Sequence, residues 1–200
     1  MRDRTPRQRL DVEERREAIL LAADELFAGR SFAEVSVADV AAAAGASPAL
    51  VFHYFGSKAA LYAAVVERSD EALAAAQAEA DAALSPGVPV RDRVRASLLV
   101  YLDHIAASPD AWLAALHGVE QPREATELLA AAKASRVDAL RDLLGIGDWA
   151  RHHYALSGYL GFVDAACVDW VARGCPEADR YPLIDAALGA LQGALGDWSR

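Results

Sequence analysis

Between Ser36 and Lys58 the chain sets out hydroxyl, imidazole, phenol and ammonium groups at short intervals: Ser36, Ser47, His53, Tyr54 and Lys58. Interleaved with apolar Val37, Pro48, Ala49 and Phe52, they suit a nucleic acid surface. There phosphates take the donors, and base edges take both polar and methyl contacts. A second group of donors stands at the N-terminus. Arg2, Arg4, Arg7 and Arg9 face only Asp3 in the first ten residues, a local balance of +3. Clustered arginines can neutralise phosphates or enter an A·T-rich minor groove; a solubilising tail has the same composition. Residues suited to catalysis or metal binding are scattered instead. His152 and His153 are adjacent and so point to different faces of a helix, and Cys167 and Cys175 lie eight apart with no histidine nearby. The HExxH, CxxC and GxSxG motifs and a Gly-rich phosphate loop are absent, so no enzyme, metal or cofactor is expected.

The groups between Ser36 and Lys58 need short, rigid elements to hold them. Apolar spacing reads as helix almost throughout. A first helix is expected from about Asp11 to Ala28, with Val12, Ile19, Ala23, Leu26 and Phe27 on one face. Ser36 caps a short helix from Val37 to Ala44, with Asp39 three residues on in a capping-box arrangement. Gly45 ends that helix, Ser47 caps the next, and Pro48 takes its first position, where a missing N–H costs nothing. The third helix stops near Phe55-Gly56, and Ser57 caps a long fourth helix reaching about Leu84. Two short helices about a glycine turn make a helix-turn-helix over about 36–55, with Val40, Ala41, Val51 and Phe55 as its small core. A plain helical hairpin shares these local features. Beyond the break Ser85-Pro86-Gly87-Val88-Pro89, helices are expected over about 90–107, 110–118, 122–144, 148–173 and 180–198.

Composition sets the frame. The 200 residues are 54% hydrophobic and 24% charged, rich in alanine, which favours an all-α fold. The net charge of −9 is unevenly spread: residues 1–68 carry nine Lys/Arg against ten Asp/Glu, and residues 69–200 eleven against nineteen. A near-neutral N-terminal part and an acidic remainder are compatible with DNA at one end. No uncharged apolar run of membrane-spanning length and no secretory pattern is present, so a cytoplasmic chain with two reduced thiols is expected and no membrane partner.

The stretch from Arg16 to Val66 resembles the tetracycline-repressor (TetR-type) family of transcription regulators. The resemblance is carried by Ile19-Leu20-x-Ala22-Ala23-x-x-Leu26-Phe27, by Ser36-Val37-x-Asp39-Val40-Ala41-x-x-Ala44-Gly45-x-Ser47, and by Val51-Phe52-His53-Tyr54-Phe55-x-Ser57-Lys58-x-x-Leu61. It implies an all-α chain: a three-helix DNA-binding head and a helical-bundle domain that binds a ligand and forms a homodimer. The expected division is a basic arm over 1–10, a head over 11–57 and a body over 58–200. Three departures stand out. Phe52 replaces the family's usual tyrosine, Ala38 lies where a polar or basic reader is common, and Ser31 stands in place of a helix-ending glycine, with Gly29 two residues earlier.

The resemblance and the outer face of the third helix assign DNA contact to Ser36, Val37, Ser47, Pro48, Ala49, Phe52, His53, Tyr54 and Lys58; the arm arginines, read from their charge alone, are further candidates. Ligand contacts are expected from Tyr101, His104, Trp112, His117, Tyr154, Phe162 and Trp170, in a cavity among the helices at 90–107, 110–118, 122–144 and 148–173. Asp103 and Asp164, on otherwise apolar stretches, are further candidates. Small residues Gly158, Gly161, Ala165, Gly189 and Gly193 in the last two helices allow a close helix pairing with a second copy. The expected function is a ligand-released homodimeric repressor on a palindromic operator, with a small, largely apolar effector. A helical enzyme and a purely structural adaptor are the competing readings.

Overall fold

The computed structural model describes residues 12–117 and 121–196. The arm arginines Arg2, Arg4, Arg7 and Arg9 lie outside them. Among the described residues the chain is all-α. Its helices are α1 (Val12–Gly29), α2 (Val37–Ala43), α3 (Pro48–Phe55), α4 (Lys58–Ala82) and α5 (Val90–Ala107). They continue with α6 (Pro109–His117), α7 (Arg123–Leu144), α8 (Ala150–Ala172), a single 3-10 turn at Glu177–Asp179, and α9 (Arg180–Leu195).

Serine caps fix the short elements. Ser36 Oγ accepts the Asp39 N–H at 3.1 Å while the Asp39 carboxylate accepts the Ser36 N–H at 2.8 Å, so two otherwise unpaired donors at the start of α2 are satisfied reciprocally. Gly45, at φ +60°, makes the left-handed turn between α2 and α3, a conformation that a Cβ would strain. Ser47 Oγ then accepts the Leu50 N–H at 3.2 Å with Pro48 opening α3, and Ser57 Oγ accepts the Ala60 N–H at 3.0 Å to start α4. The axes of α3 and α4 meet at 64°.

One detail differs from the sequence-based expectation: Val12 is 64% exposed, because the inward face of α1 begins only at Ile19. With Ser31 in place of a helix-ending glycine the turn after α1 is remodelled, and Gly29 remains inside α1 without a left-handed φ. The turn after it is held instead by Glu34, whose carboxylate accepts the N–H of Ser31 at 2.9 Å and its hydroxyl at 2.8 Å. A side-chain clamp thus takes over the work a glycine usually does.

The helices close over two apolar cores. In the first, Ile19, Ala23 and Phe27 of α1 meet Val40 and Ala41 of α2 and Val51 and Phe55 of α3. Leu61, Tyr62 and Val65 of α4 and Ala125 of α7 complete it, so packing continues across the expected boundary at residue 57. The second core gathers Leu73 of α4 with residues of α5, α7, α8 and α9, among them Leu102, Val137, Leu156, Trp170 and Ile184. α4 belongs to both. Helix α8 is long and apolar enough to cross a membrane, but Leu156, Cys167 and Trp170 spend its apolar side on the second core.

Candidate nucleic-acid interface, internal cavity and outer helix face

α3 divides cleanly by periodicity. Val51 and Phe55, four residues apart, turn inward, while Pro48, Ala49 and His53 are exposed and Phe52 is 48% exposed. A large aromatic left half in solvent on so short a helix has no packing purpose in the protomer. Tyr54 is half-buried against the first core, with the His53 ring edge-on at 5.4 Å. Ser36 and Ser47 are exposed at their helix starts, and Val37 is half-buried against the first core. Ser36 Oγ is used as an acceptor, which leaves its O–H as a donor.

Three cations near the α2–α3 pair are already engaged. The Lys58 ammonium lies 4.2 Å from the centre of the Phe32 ring, and partial burial pulls its pKa down while Asp39 opposes the shift. Arg30 stands 3.6 Å from Asp39, and Arg16 lies 5.2 Å from the centre of the Phe55 ring. The backbone N–H of Ser36, its hydroxyl and Arg30 hold the Asp39 carboxyl below its ordinary pKa. Sequence reasoning missed Arg16 and Arg30, whose positions beside the α2–α3 pair depend on how α1 folds against it.

A cavity of about 540 Å³ opens between α4, α5, α7 and α8. Its walls are mainly apolar, with Leu73, Val94, Leu98 and Val163, and they carry a run of small residues at Ala74, Ala78, Ala132 and Ala139. Polar groups are paired across it. Tyr101 donates to Asp164 at 3.2 Å and accepts the Trp112 indole N–H at 2.9 Å; Lys133 meets the other Asp164 oxygen at 3.4 Å. Arg136 holds Asp70 at 2.9 Å, and Arg93 holds Asp81 at 2.6 Å. Tyr159 and Arg136 of the lining each carry a buried atom without a partner, the hydroxyl and Nε, as do Gln121 and Arg141 away from the cavity.

This placement corrects the expected lining. α4 forms a wall and α6 does not. Of the seven residues expected there only Tyr101 lines the cavity, with Trp112 one hydrogen bond behind it. Trp170 is buried in the second core and donates to the Pro176 carbonyl at 3.0 Å. Tyr154, 74% exposed, along with Phe162 and His117, faces solvent. Asp103 pairs with Arg180 at 2.5 Å, joining α5 to α9, whereas Asp164 is in the wall. The physical reason is plain: large aromatics fill space, and a void forms where facing helices carry alanine.

His104 sits behind the wall on α5, 3.5 Å from the Ser69 hydroxyl of α4. Burial, then Arg136, lowers its pKa from 6.5 against the pull of Asp70 and Asp24. The unfolded chain therefore binds a proton that the folded chain refuses as pH falls through about 6.5. Stability is expected to drop on going from neutral to mildly acidic pH, and His104→Gln to flatten that part of the curve. Denaturation midpoints of both chains across this range check it.

On the outside, Tyr154, Gly158, Gly161, Phe162 and Ala165 form one stripe of α8 at helical spacing. Gly158, Ala165, Gly189 and Gly193 are exposed, and Gly161 is partly so. A methyl group at any of the four glycines would meet nothing within 4 Å in the protomer, so these glycines do not serve close packing inside the chain. Among the described residues no group of three or more His, Cys, Asp and Glu is placed to hold a metal ion.

Comparison with known proteins accounts for this arrangement. Residues 19–65 match the family model described as bacterial regulatory proteins, tetR family. Over 194 residues the chain is 30% identical to the HTH-type transcriptional activator FasR of Mycolicibacterium smegmatis, spanning 96% of this chain and 86% of that protein. It is 32% identical over 118 residues to the HTH-type transcriptional regulator BetI of Rhizobium meliloti, 58% of this chain and 57% of that one. Among solved structures, a tetR-family transcriptional regulator from Streptomyces coelicolor is similar with a TM-score of 0.74 at 23% identity, over 92% of this chain and 80% of that chain. With the α2–turn–α3 pair, the first core and near full-length similarity in hand, the chain belongs to the TetR family of DNA-binding bacterial transcription regulators.

Proposed function

We propose that the chain acts in the cytoplasm as a ligand-released homodimeric repressor that reads a palindromic operator through α3. The observation that carries this reading is α4, one unbroken helix with Leu61 and Val65 in the first core and Leu73 in the second, on the cavity wall. A molecule entering the cavity bears on the helix that supports the DNA-binding head (residues 11–57), which is what a ligand-controlled reader needs. In a dimer, a tilt of α4 changes the spacing of two α3 helices that must lie about one helical turn, roughly 34–36 Å, apart. A coupling of about 1–3 kcal/mol would release operator about 5- to 150-fold.

In this reading Pro48, Ala49 and Phe52 contact thymine methyls and His53 makes the polar base contact. Tyr54, Lys58 and the capped starts of α2 and α3, with Ser36, Val37 and Ser47, lie against phosphates. The arm arginines Arg2, Arg4, Arg7 and Arg9 enter the neighbouring minor groove. The small-residue stripes of α8 and α9 pair with their copies as a four-helix interface.

Gly158→Glu is expected to leave the protomer folded, since its side chain meets open space, and to shift the mass in light scattering from dimer to monomer with loss of operator binding. A monomeric parent chain at micromolar concentration would defeat the homodimer. Selection of bound fragments from genomic DNA tests the whole reading: inverted repeats support it, and a lone, unrepeated site opposes it. An activator is the second reading, favoured by the similarity to the transcriptional activator FasR. Transcript levels beside the selected site on deletion decide the sign, a rise for the repressor and a fall for the activator.

A further inference from the structure

We propose that Arg30 grips a DNA phosphate, in a site it shares with Ser36 and Lys58 on the flank of α2. The inference rests on the reading above that Ser36 and Lys58 lie against phosphates, and it adds the cation that completes their site.

From Glu17 to Ser57 the chain carries five Asp/Glu and a single Lys or Arg, which is Arg30. A polyanion is held chiefly through cations, so a head this poor in them gains most from one placed where a phosphate passes. The fold puts Arg30 there. Its guanidinium stands 3.6 Å from Asp39 Oδ2, and the same oxygen accepts the Ser36 N–H at 2.8 Å. Arg30 is therefore beside Ser36, although the turn after α1 separates them in sequence. Lys58 approaches from α4, with its ammonium 4.2 Å from the centre of the Phe32 ring and within the field of Asp39.

The guanidinium is fixed on one side and open on the other. Its Nη2 donates to the Glu34 carbonyl and faces Asp39. Nη1 and Nε form no hydrogen bond with the described residues, and the side chain is 43% exposed. An arginine already held by one nitrogen loses little further freedom when the others bind, and guanidinium donors suit phosphate oxygens. The two carboxylates nearby are turned to the protein. Glu34 accepts from the Ser31 N–H and hydroxyl, and Asp39 accepts from the Ser36 N–H. Their charge tempers the site without occupying its open donors.

Fluorescence anisotropy of the full chain with the selected operator and with a scrambled duplex, each across a salt series, tests the proposal. Arg30→Gln is expected to weaken both duplexes by the same factor, at least about tenfold near physiological salt. The slope of log affinity against log salt should become shallower by about 1. Arg30→Lys keeps the charge and is expected to keep the parent's slope. A staple that merely held Asp39 in place would lower the melting temperature of Arg30→Gln and leave its slope unchanged. Asp39→Asn keeps an acceptor for the Ser36 N–H and removes the competing charge, so both duplexes are expected to bind tighter. An unchanged slope in folded Arg30→Gln, or no tightening in folded Asp39→Asn, overturns the proposal. The scrambled duplex separates it from sequence reading by α3. Equal affinity of the parent for the two duplexes defeats α3 as the reader, while a shallower slope in Arg30→Gln still upholds Arg30.

Discussion

Alanine at both Phe52 and His53 is expected to weaken operator binding about a hundredfold or more, since each good base contact contributes about 1–3 kcal/mol, while leaving the melting temperature nearly unchanged. Both side chains are exposed on the outer face of α3, and the residues that fix that helix, Val51 and Phe55, lie on the other side. Alanine is the strongest helix former, so α3 itself should gain rather than lose. The exposed Phe52 ring is the informative part. In the proposed reading the ring meets thymine methyls and not phosphates, so its loss should relax sequence preference while leaving the salt dependence of binding in place. Fluorescence anisotropy with the selected operator at several fixed salt concentrations measures both. A double variant that binds operator as the parent does would remove α3 from sequence reading.

Leu61→Ala is expected to destabilise the N-terminal core by about 2–5 kcal/mol, the usual cost of truncating a buried leucine. Leu61 is 0% exposed, where α1, α2, α3 and the start of α4 converge. Its loss opens a cavity under the very turn that sets α3 at 64° to α4. The sequence supplies a convenient separation of signals. No tryptophan lies in the first three helices, and Trp112 and Trp170 pack on the second core, so their fluorescence follows that core while far-ultraviolet circular dichroism follows every helix. In urea the variant should show a dichroism transition that begins earlier than in the parent, ahead of the fluorescence transition. Coincident transitions in the variant would mean that the two cores unfold as one unit through α4.

The region around α2 and α3 was legible because short-range chemistry fixes it. A serine three residues before a carboxylate, a glycine at a left-handed turn and a proline at a helix start act within a few residues, and α2, α3 and α4 begin where those signals place them. The turn after α1 was harder: Ser31 in place of a glycine marks it as altered, but the holding group is Glu34, a carboxylate whose reach to Ser31 no periodicity announces.

The cavity was less legible for a related reason. Aromatic residues were the natural candidates for its wall, yet Trp170 and Trp112 fill space and satisfy their indoles on Pro176 and Tyr101. Ala74 and Ala78 on α4, with Ala132 and Ala139 on α7, make the room, and in an alanine-rich chain they do not stand out. The outer stripe of α8 and α9 was visible as small residues; that the glycines touch nothing in their own protomer required the fold.

Operator affinity set against that of an equal length of scrambled DNA, over a series of salt concentrations, bears most directly on the role of the head. If α3 reads bases, the operator should be held about 10³-fold or more tighter than the scrambled duplex near physiological salt. Both affinities should then fall log-linearly as salt rises. Equal affinity for the two duplexes at every salt concentration would show that the chain reads no sequence and would contradict the assignment.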